Sequence, residues 1–268
     1  MSTDISFHPD GTPKPLLIYA HGFNGFKDWG NFNIIARHFT DAGFVFVKFN
    51  FSHNGTTPDH PEEFVDLQAY GNNNYTIQLH DLGCVIDWCV DPKHQYTSEI
   101  DMNNVNLLGH SMGGGIVLLK AASDQRIRKV VTWASINECK TPWGSWPSEK
   151  LQEWQTKGVA FTTNSRTKQE LPLYYQLYLN YVQHEQQLDI HTAVKKLTIP
   201  ILLCHGSRDE AVPLQKAQQI KEWQPRAELF IVDSDHVFGR KHPWIEPELP
   251  HEMQQVVDRS IGFLKRQA

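Results

Sequence analysis

Cysteine is scarce, and no two of the four (Cys84, Cys89, Cys139 and Cys204) stand at Cys-x-x-Cys spacing. That excludes the local signatures of a zinc ribbon or a dithiol redox site. Cys84, Cys89 and Cys204 lie in apolar stretches and read as reduced core thiols. No apolar run approaches the roughly 18–20 residues of a membrane-spanning helix. Residues 1–15 lack a basic start followed by an apolar run, so no secretory leader is expected. A surplus of positive charge is also missing. The formal net charge is −5, which argues against nucleic acid or an anionic membrane as partner. His53, Asp59 and His60 share a loop without paired ligand spacing, so no metal is expected there. These absences leave a small-molecule protein with a cytoplasmic home as the expectation.

What is present is a regular alternation. Apolar strand candidates at Leu16–Ala20, Phe44–Phe51, Val105–Leu108, Val130–Ala134, Ile199–Leu203 and Leu229–Val232 alternate with helical patterns. The helices are expected at Asp28–Asp41, Ile77–Val90, Met112–Ser123, Leu214–Trp223 and Pro250–Leu264. Ile5–Phe7 reads as a short edge strand, and residues 52–72 as a long loop rich in Gly, Pro, His, Asn and acids. Such alternation implies right-handed crossovers and a mostly parallel sheet covered on both faces, an α/β class. With 268 residues, one large domain with an insertion is expected. Residues 137–196 break the rhythm. They hold Trp143, Trp146, Trp154 and four tyrosines, with helix-like pieces near Ser148–Lys157 and Pro172–His184. The division is a core of 1–136 and 197–268 with a helical lid at 137–196.

The chemistry concentrates where strands end. Gly109-His110-Ser111-Met112-Gly113 joins an apolar strand to an apolar helix. A chain that reverses so sharply pushes its central residue into a strained conformation. It also leaves the Ser111 hydroxyl exposed at a helix N-terminus. A serine hydroxyl is a weak nucleophile at neutral pH. It needs a histidine base, and the base needs an acid to fix its tautomer. Asp209 and His236 follow later strands in the order serine, acid, histidine. Glu210 is the rival for the acid role. His110 and His205 sit inside strand-end turns and read as structural. A carbonyl under attack needs two preorganised N–H donors. Met112, next to the serine, and Phe23, in His21-Gly22-Phe23 after the first strong strand, are expected to supply them. Trp143 and Trp146 are candidates for substrate contact, against the plainer reading that the insertion's aromatics only pack. Arg166 could meet a carboxylate, but a surface charge is the commoner outcome.

The segments His21-Gly22-Phe23, Gly109 to Gly114, His205-Gly206-x-x-Asp209-x-x-Val212-Pro213 and Asp235-His236-x-Phe238 together resemble the α/β-hydrolases. Within that superfamily the chain is similar to dienelactone-hydrolase-like and cinnamoyl or feruloyl esterases. The resemblance implies an α/β-hydrolase fold with a small helical lid. It also implies carboxylic-ester hydrolysis through an acyl-enzyme with no metal or organic cofactor, and a small-molecule ester as partner. A homodimer is compatible with it. Relatives often carry a second acid where this chain has Ser207. The alternatives are a thioesterase, an oligopeptidase-like acyl hydrolase, or a non-catalytic binder on the same fold.

Overall fold

The computed structural model describes residues 1–266. The last two positions of the 197–268 core segment lie outside the described residues. The chain runs β1 (Thr3–Ser6), β2 (Lys14–Ala20), α1 (Phe32–Asp41), β3 (Val45–Phe49), α2 (Leu67–Gly71), α3 (Tyr75–Cys89), β4 (Ile100–His110), α4 (Met112–Ser123), β5 (Ile127–Trp133), α5 (Ser148–Lys157), β6 (Val159–Thr163), β7 (Glu170–Tyr174), α6 (Gln176–Gln183), α7 (Ile190–Lys196), β8 (Ile201–Gly206), α8 (Gln215–Trp223), β9 (Glu228–Val232) and α9 (His251–Lys265). Seven strands form one sheet in the order β1-β3-β2-β4-β5-β8-β9. Every neighbouring pair is parallel except β1 with β3.

The strands read as unbroken apolar runs because both faces are covered. Along β2, Leu16 and Ile18 pack into one core while Leu17 and Tyr19 pack into the other. This is the two-residue period of a strand set between two helix layers. The first core takes in α3, α4, α7 and α8, and the second takes in α1 and α9. Asn74 fixes the start of α3, its side chain accepting a hydrogen bond from the Ile77 N–H. Among the described residues no helix is long and apolar enough to cross a membrane.

Three local expectations change. The helix expected from Asp28 starts at Phe32, because Gly30 adopts φ +66° and the chain turns there first. The 52–72 loop contains the short helix α2, capped by the Asp66 side chain on the Ala69 N–H. The helix expected at Pro172–His184 is a strand up to Tyr174, since β7 pairs antiparallel with β6. Residues 137–196 therefore hold α5, the β6–β7 hairpin, α6 and α7, and are not all-helical. Their aromatics form a knot. The Trp143 and Trp146 rings lie 6.0 and 5.2 Å from that of Trp154, and the Tyr175 ring 5.3 Å from it. Trp154 donates its indole N–H to the Leu173 carbonyl at 2.7 Å.

Candidate active site

Parallel strands deliver their following loops to one rim, where ligands bind in open α/β sheets. The turn after β4 is the sharpest feature there. Ser111 has φ 55° and ψ −119°, a conformation that L-residues adopt only when their surroundings enforce it. Its N–H donates to the Trp133 carbonyl at 2.8 Å, and its carbonyl accepts from Gly114 and Ile136. The turn closes only because two positions lack a Cβ. One added at Gly109 would lie 2.3 Å from the Gly113 carbonyl oxygen, and one at Gly113 would lie 2.3 Å from that of Ala20.

Asp209 and His236 come from the loops after β8 and β9. The His236 Nδ1–H donates to Asp209 Oδ2 at 2.7 Å. Asp209 Oδ1 accepts the N–H groups of Ala211 (2.9 Å) and Val212 (2.8 Å). Burial alone would raise the pKa of Asp209, but hydrogen bonds from His205 and His236 hold its carboxyl well below the usual range. It is an anion held in place, as an orienting acid must be. Glu210 is exposed and makes no such bond. His205 donates Nε2–H to the Val212 carbonyl at 2.7 Å, with the same nitrogen 3.3 Å from Asp209 Oδ2. His110 donates Nε2–H to the His236 carbonyl at 3.0 Å, so it braces the loop that carries His236.

Ser111 and His236 line the same cleft, of about 390 Å³, without a direct hydrogen bond between them. Catalytic contacts of this kind often tighten only around bound substrate. Gly22 brings the Phe23 loop against the serine turn: a Cβ there would stand 3.0 Å from Ser111 Cβ. His21 locks that loop by donating Nδ1–H to the Gly22 carbonyl (2.9 Å) while Nε2 accepts the Phe51 N–H (3.3 Å). Among the described residues neither the Phe23 N–H nor the Met112 N–H has a backbone acceptor. Two donors are thus unspent beside the serine.

Trp143 and Trp146 do not reach this cleft. They are occupied by Trp154, Tyr75, Tyr178 and Tyr181, with Lys150 over the Trp146 ring. The aromatic lining is instead Tyr19, Phe23, Phe26, Trp29, Phe32 and Phe64, and the insertion contributes only its hairpin tip, Asn164 to Arg166. That tip rests on the 61–66 loop through Gln169 Nε2 to the Phe64 carbonyl (2.8 Å) and Arg166 Nη2 to the Glu62 carbonyl (3.3 Å). Trp29, Arg240 and His242 also line the cleft and were not expected. The available signal was the run Arg240-Lys241-His242, beginning four residues after His236, in an otherwise acidic chain. Among the described residues no three His, Cys, Asp or Glu side chains cluster to hold a metal ion.

The comparisons with known proteins agree with this fold. The family model described as BD-FAE matches residues 4–224. An Escherichia coli protein, described as an uncharacterized 31.7 kDa protein in the traX-finO intergenic region, is 31% identical over 129 residues. That match spans 46% of this chain and 38% of the relative. The 2-hydroxymuconate semialdehyde hydrolase of Pseudomonas sp. strain CF600 is 23% identical over 266 residues, covering 91% of this chain and 85% of the relative. Among solved structures, Est1E from Butyrivibrio proteoclasticus with ferulic acid bound superposes with a TM-score of 0.68 at 18% identity. It covers 98% of this chain and 93% of its own.

Proposed function

The chain belongs to the BD-FAE family and has the α/β-hydrolase fold, and from that premise we propose that it is a serine carboxylesterase acting on esters of small or medium acyl or aromatic acids. The observation that carries this reading is the 2.7 Å bond from His236 to the buried, ionised Asp209, at the rim where Ser111 is held in a strained turn.

Ser111 Oγ attacks the ester carbonyl while His236 Nε2 takes the hydroxyl proton. Asp209 keeps the Nδ1–H in place and stabilises the imidazolium. The carbonyl oxygen becomes an oxyanion and accepts the N–H groups of Phe23 and Met112, which need no reorganisation to receive it. Collapse expels the alcohol, which takes the proton from His236, and leaves an acyl group on Ser111. Water, deprotonated by His236, attacks that acyl group. The second tetrahedral intermediate releases the acid and returns the proton to Ser111. No step calls on a metal or an organic cofactor.

The wall of Phe26, Trp29 and Phe64 suits an acid with a planar ring, such as the ferulic acid bound by Est1E. A fluorophosphonate probe is expected to label Ser111 in the folded protein, and 4-nitrophenyl esters are expected to be cleaved faster than aminoacyl anilides. Absence of labelling would favour a binding protein on this fold. Faster anilide cleavage would favour the oligopeptidase-like alternative.

A further inference from the structure

The Phe23 N–H is one end of a peptide unit whose other end is the Gly22 carbonyl. A trans peptide is planar, with its C=O and N–H pointing in opposite directions. Whatever holds the Gly22 carbonyl therefore aims the Phe23 N–H. Two donors hold it, the His21 Nδ1–H at 2.9 Å and the Gly25 N–H at 3.1 Å. The second of these closes a turn with Phe23 and Asn24 at its centre. In that turn Asn24 sits in the left-handed region, at φ 56°. A residue other than glycine keeps such a conformation only when its surroundings hold it there.

The Asn24 side chain is held by Tyr70, whose hydroxyl donates to Asn24 Oδ1. Asn54 adds a longer bond, from Nδ2 to the Gly25 carbonyl at 3.4 Å. Tyr70 is 4% exposed, and its ring lies 6.2 Å from that of Phe23 and 5.6 Å from that of Phe64. Burial pushes its pKa well up, against a smaller effect of Thr162 in β6. The hydroxyl therefore keeps its proton and remains a donor at every working pH.

Tyr70 is itself clamped. It stands on α2, whose N-terminus is capped by Asp66. A Cβ added at Gly71 would lie 2.7 Å from Tyr174 Cε2, so the backbone of α2 lies against β7. Tyr174 donates its hydroxyl to Gln68 Oε1 at 3.0 Å, and Gln176 Nε2 donates to the carbonyls of Gly71 (3.2 Å) and Asn73 (2.9 Å). A phenol has one proton to donate. Here it goes from a braced helix to the side chain that follows the Phe23 amide.

We propose that Tyr70 is a positioning residue: through Asn24 it holds the Phe23 peptide in the orientation that receives the oxyanion. Tyr70 is not among the residues lining the cleft and touches no reacting atom. Preorganised donors work because they need no rearrangement as charge develops, and a turn free to tilt loses part of that. The inference rests on the esterase reading.

Tyr70→Phe keeps the ring and removes the hydroxyl. Losing one oxyanion donor outright costs about 10²–10³-fold in kcat. Loosening one is expected to lower kcat on 4-nitrophenyl butyrate by about tenfold or more, with KM changed by less than about twofold. Phenethyl trifluoromethyl ketone supplies a second readout. Ser111 Oγ adds to its carbonyl carbon, His236 takes the proton, and the former carbonyl oxygen becomes the oxyanion. Its affinity is expected to fall by the same factor as kcat, while that of the alcohol made by reducing the ketone stays the same. Asn24→Gly removes the acceptor and tolerates the left-handed φ, and is expected to cost about as much as Tyr70→Phe. The double variant is expected to cost no more than either alone, because both cut one link. An unchanged kcat in Tyr70→Phe overturns the proposal. So does equal weakening of ketone and alcohol, which a merely structural loss produces, and so do effects that multiply in the double variant. Absence of both ester turnover and fluorophosphonate labelling in the unaltered protein overturns the esterase reading, and the proposal with it. Melting curves identify a Tyr70→Phe protein that has failed to fold, and Asn24→Gly then carries the comparison of ketone with alcohol.

Discussion

At the carboxyl rim of the sheet the buried side chains are polar, and most hold a particular backbone atom. In the 137–196 insertion the aromatic side chains hold mainly one another. His21 fixes Gly22, His205 fixes Val212, His110 fixes the carbonyl of His236, and Asp209 accepts two backbone N–H groups besides its histidine. The insertion's Trp143, Trp146, Trp154 and Tyr175 meet ring against ring, with one indole N–H to Leu173. A hydrogen bond of good geometry admits few alternatives, whereas ring contacts tolerate repacking. The rim is thereby built for exact placement of reacting groups, and the insertion for bulk and cover.

That contrast makes ranked predictions. Ser111→Ala should lower kcat on 4-nitrophenyl esters by up to about 10⁶-fold, with an unchanged melting temperature. Substantial remaining turnover would move the chemistry off the rim. Asp209→Asn should lower kcat by about 10⁴-fold, because His236 then adopts the wrong tautomer. If Glu210→Gln does the damage instead, the acid has been misassigned. Gly113→Ala should destabilise the fold by about 3 kcal/mol in urea unfolding, since the new methyl meets backbone that cannot move aside. Trp154→Ala should be comparably destabilising, about 3–5 kcal/mol. Trp146→Ala should change kcat/KM by less than about threefold. A large rise in KM there would return the insertion's tryptophans to the substrate.

Acid should separate the two regions as well. Burial pushes the pKa of His21 down to about 4. Burial also drives His110 well below its ordinary value, with His236 and Arg240 adding to the effect. Both protonate more readily in the unfolded chain, where a histidine titrates near about 6.5. The unfolded state therefore binds more protons between about pH 6.5 and 4, and stability falls as pH drops through that window. The depressed carboxyl of Asp209 acts in the same direction at lower pH. Differential scanning fluorimetry from pH 8 to 4 should show the melting temperature declining below about pH 6.5. A flat curve would mean that these histidines protonate as readily in the folded protein as in the unfolded chain.

The rim was largely legible in the sequence because close approach leaves marks. Gly109 and Gly113 flank the serine because no other residue fits, and the α4 boundaries follow from that turn. Asp209 and His236 could be found because each follows an apolar strand. The insertion was less legible. A tyrosine-rich stretch such as Pro172–Tyr181 shows no clean period, and only pairing with β6 makes its first part a strand. Trp143 and Trp146 looked like ligand contacts because nothing local says which neighbour an indole will meet. Arg240 escaped notice for the reverse reason. Its surroundings come from Trp29 and Phe32, far away in the chain, so the rings that cover it meet it only in the fold.

The His110–His236 contact has a mechanical consequence. It joins residues 126 positions apart in the chain, so the loops that carry Ser111 and His236 are tied directly to each other. The hairpin tip meets the 61–66 loop through hydrogen bonds from Gln169 and Arg166, outside that tie. The two walls of the cleft are thus anchored independently, so a change at the tip would leave the Ser111–His236 side as it stands.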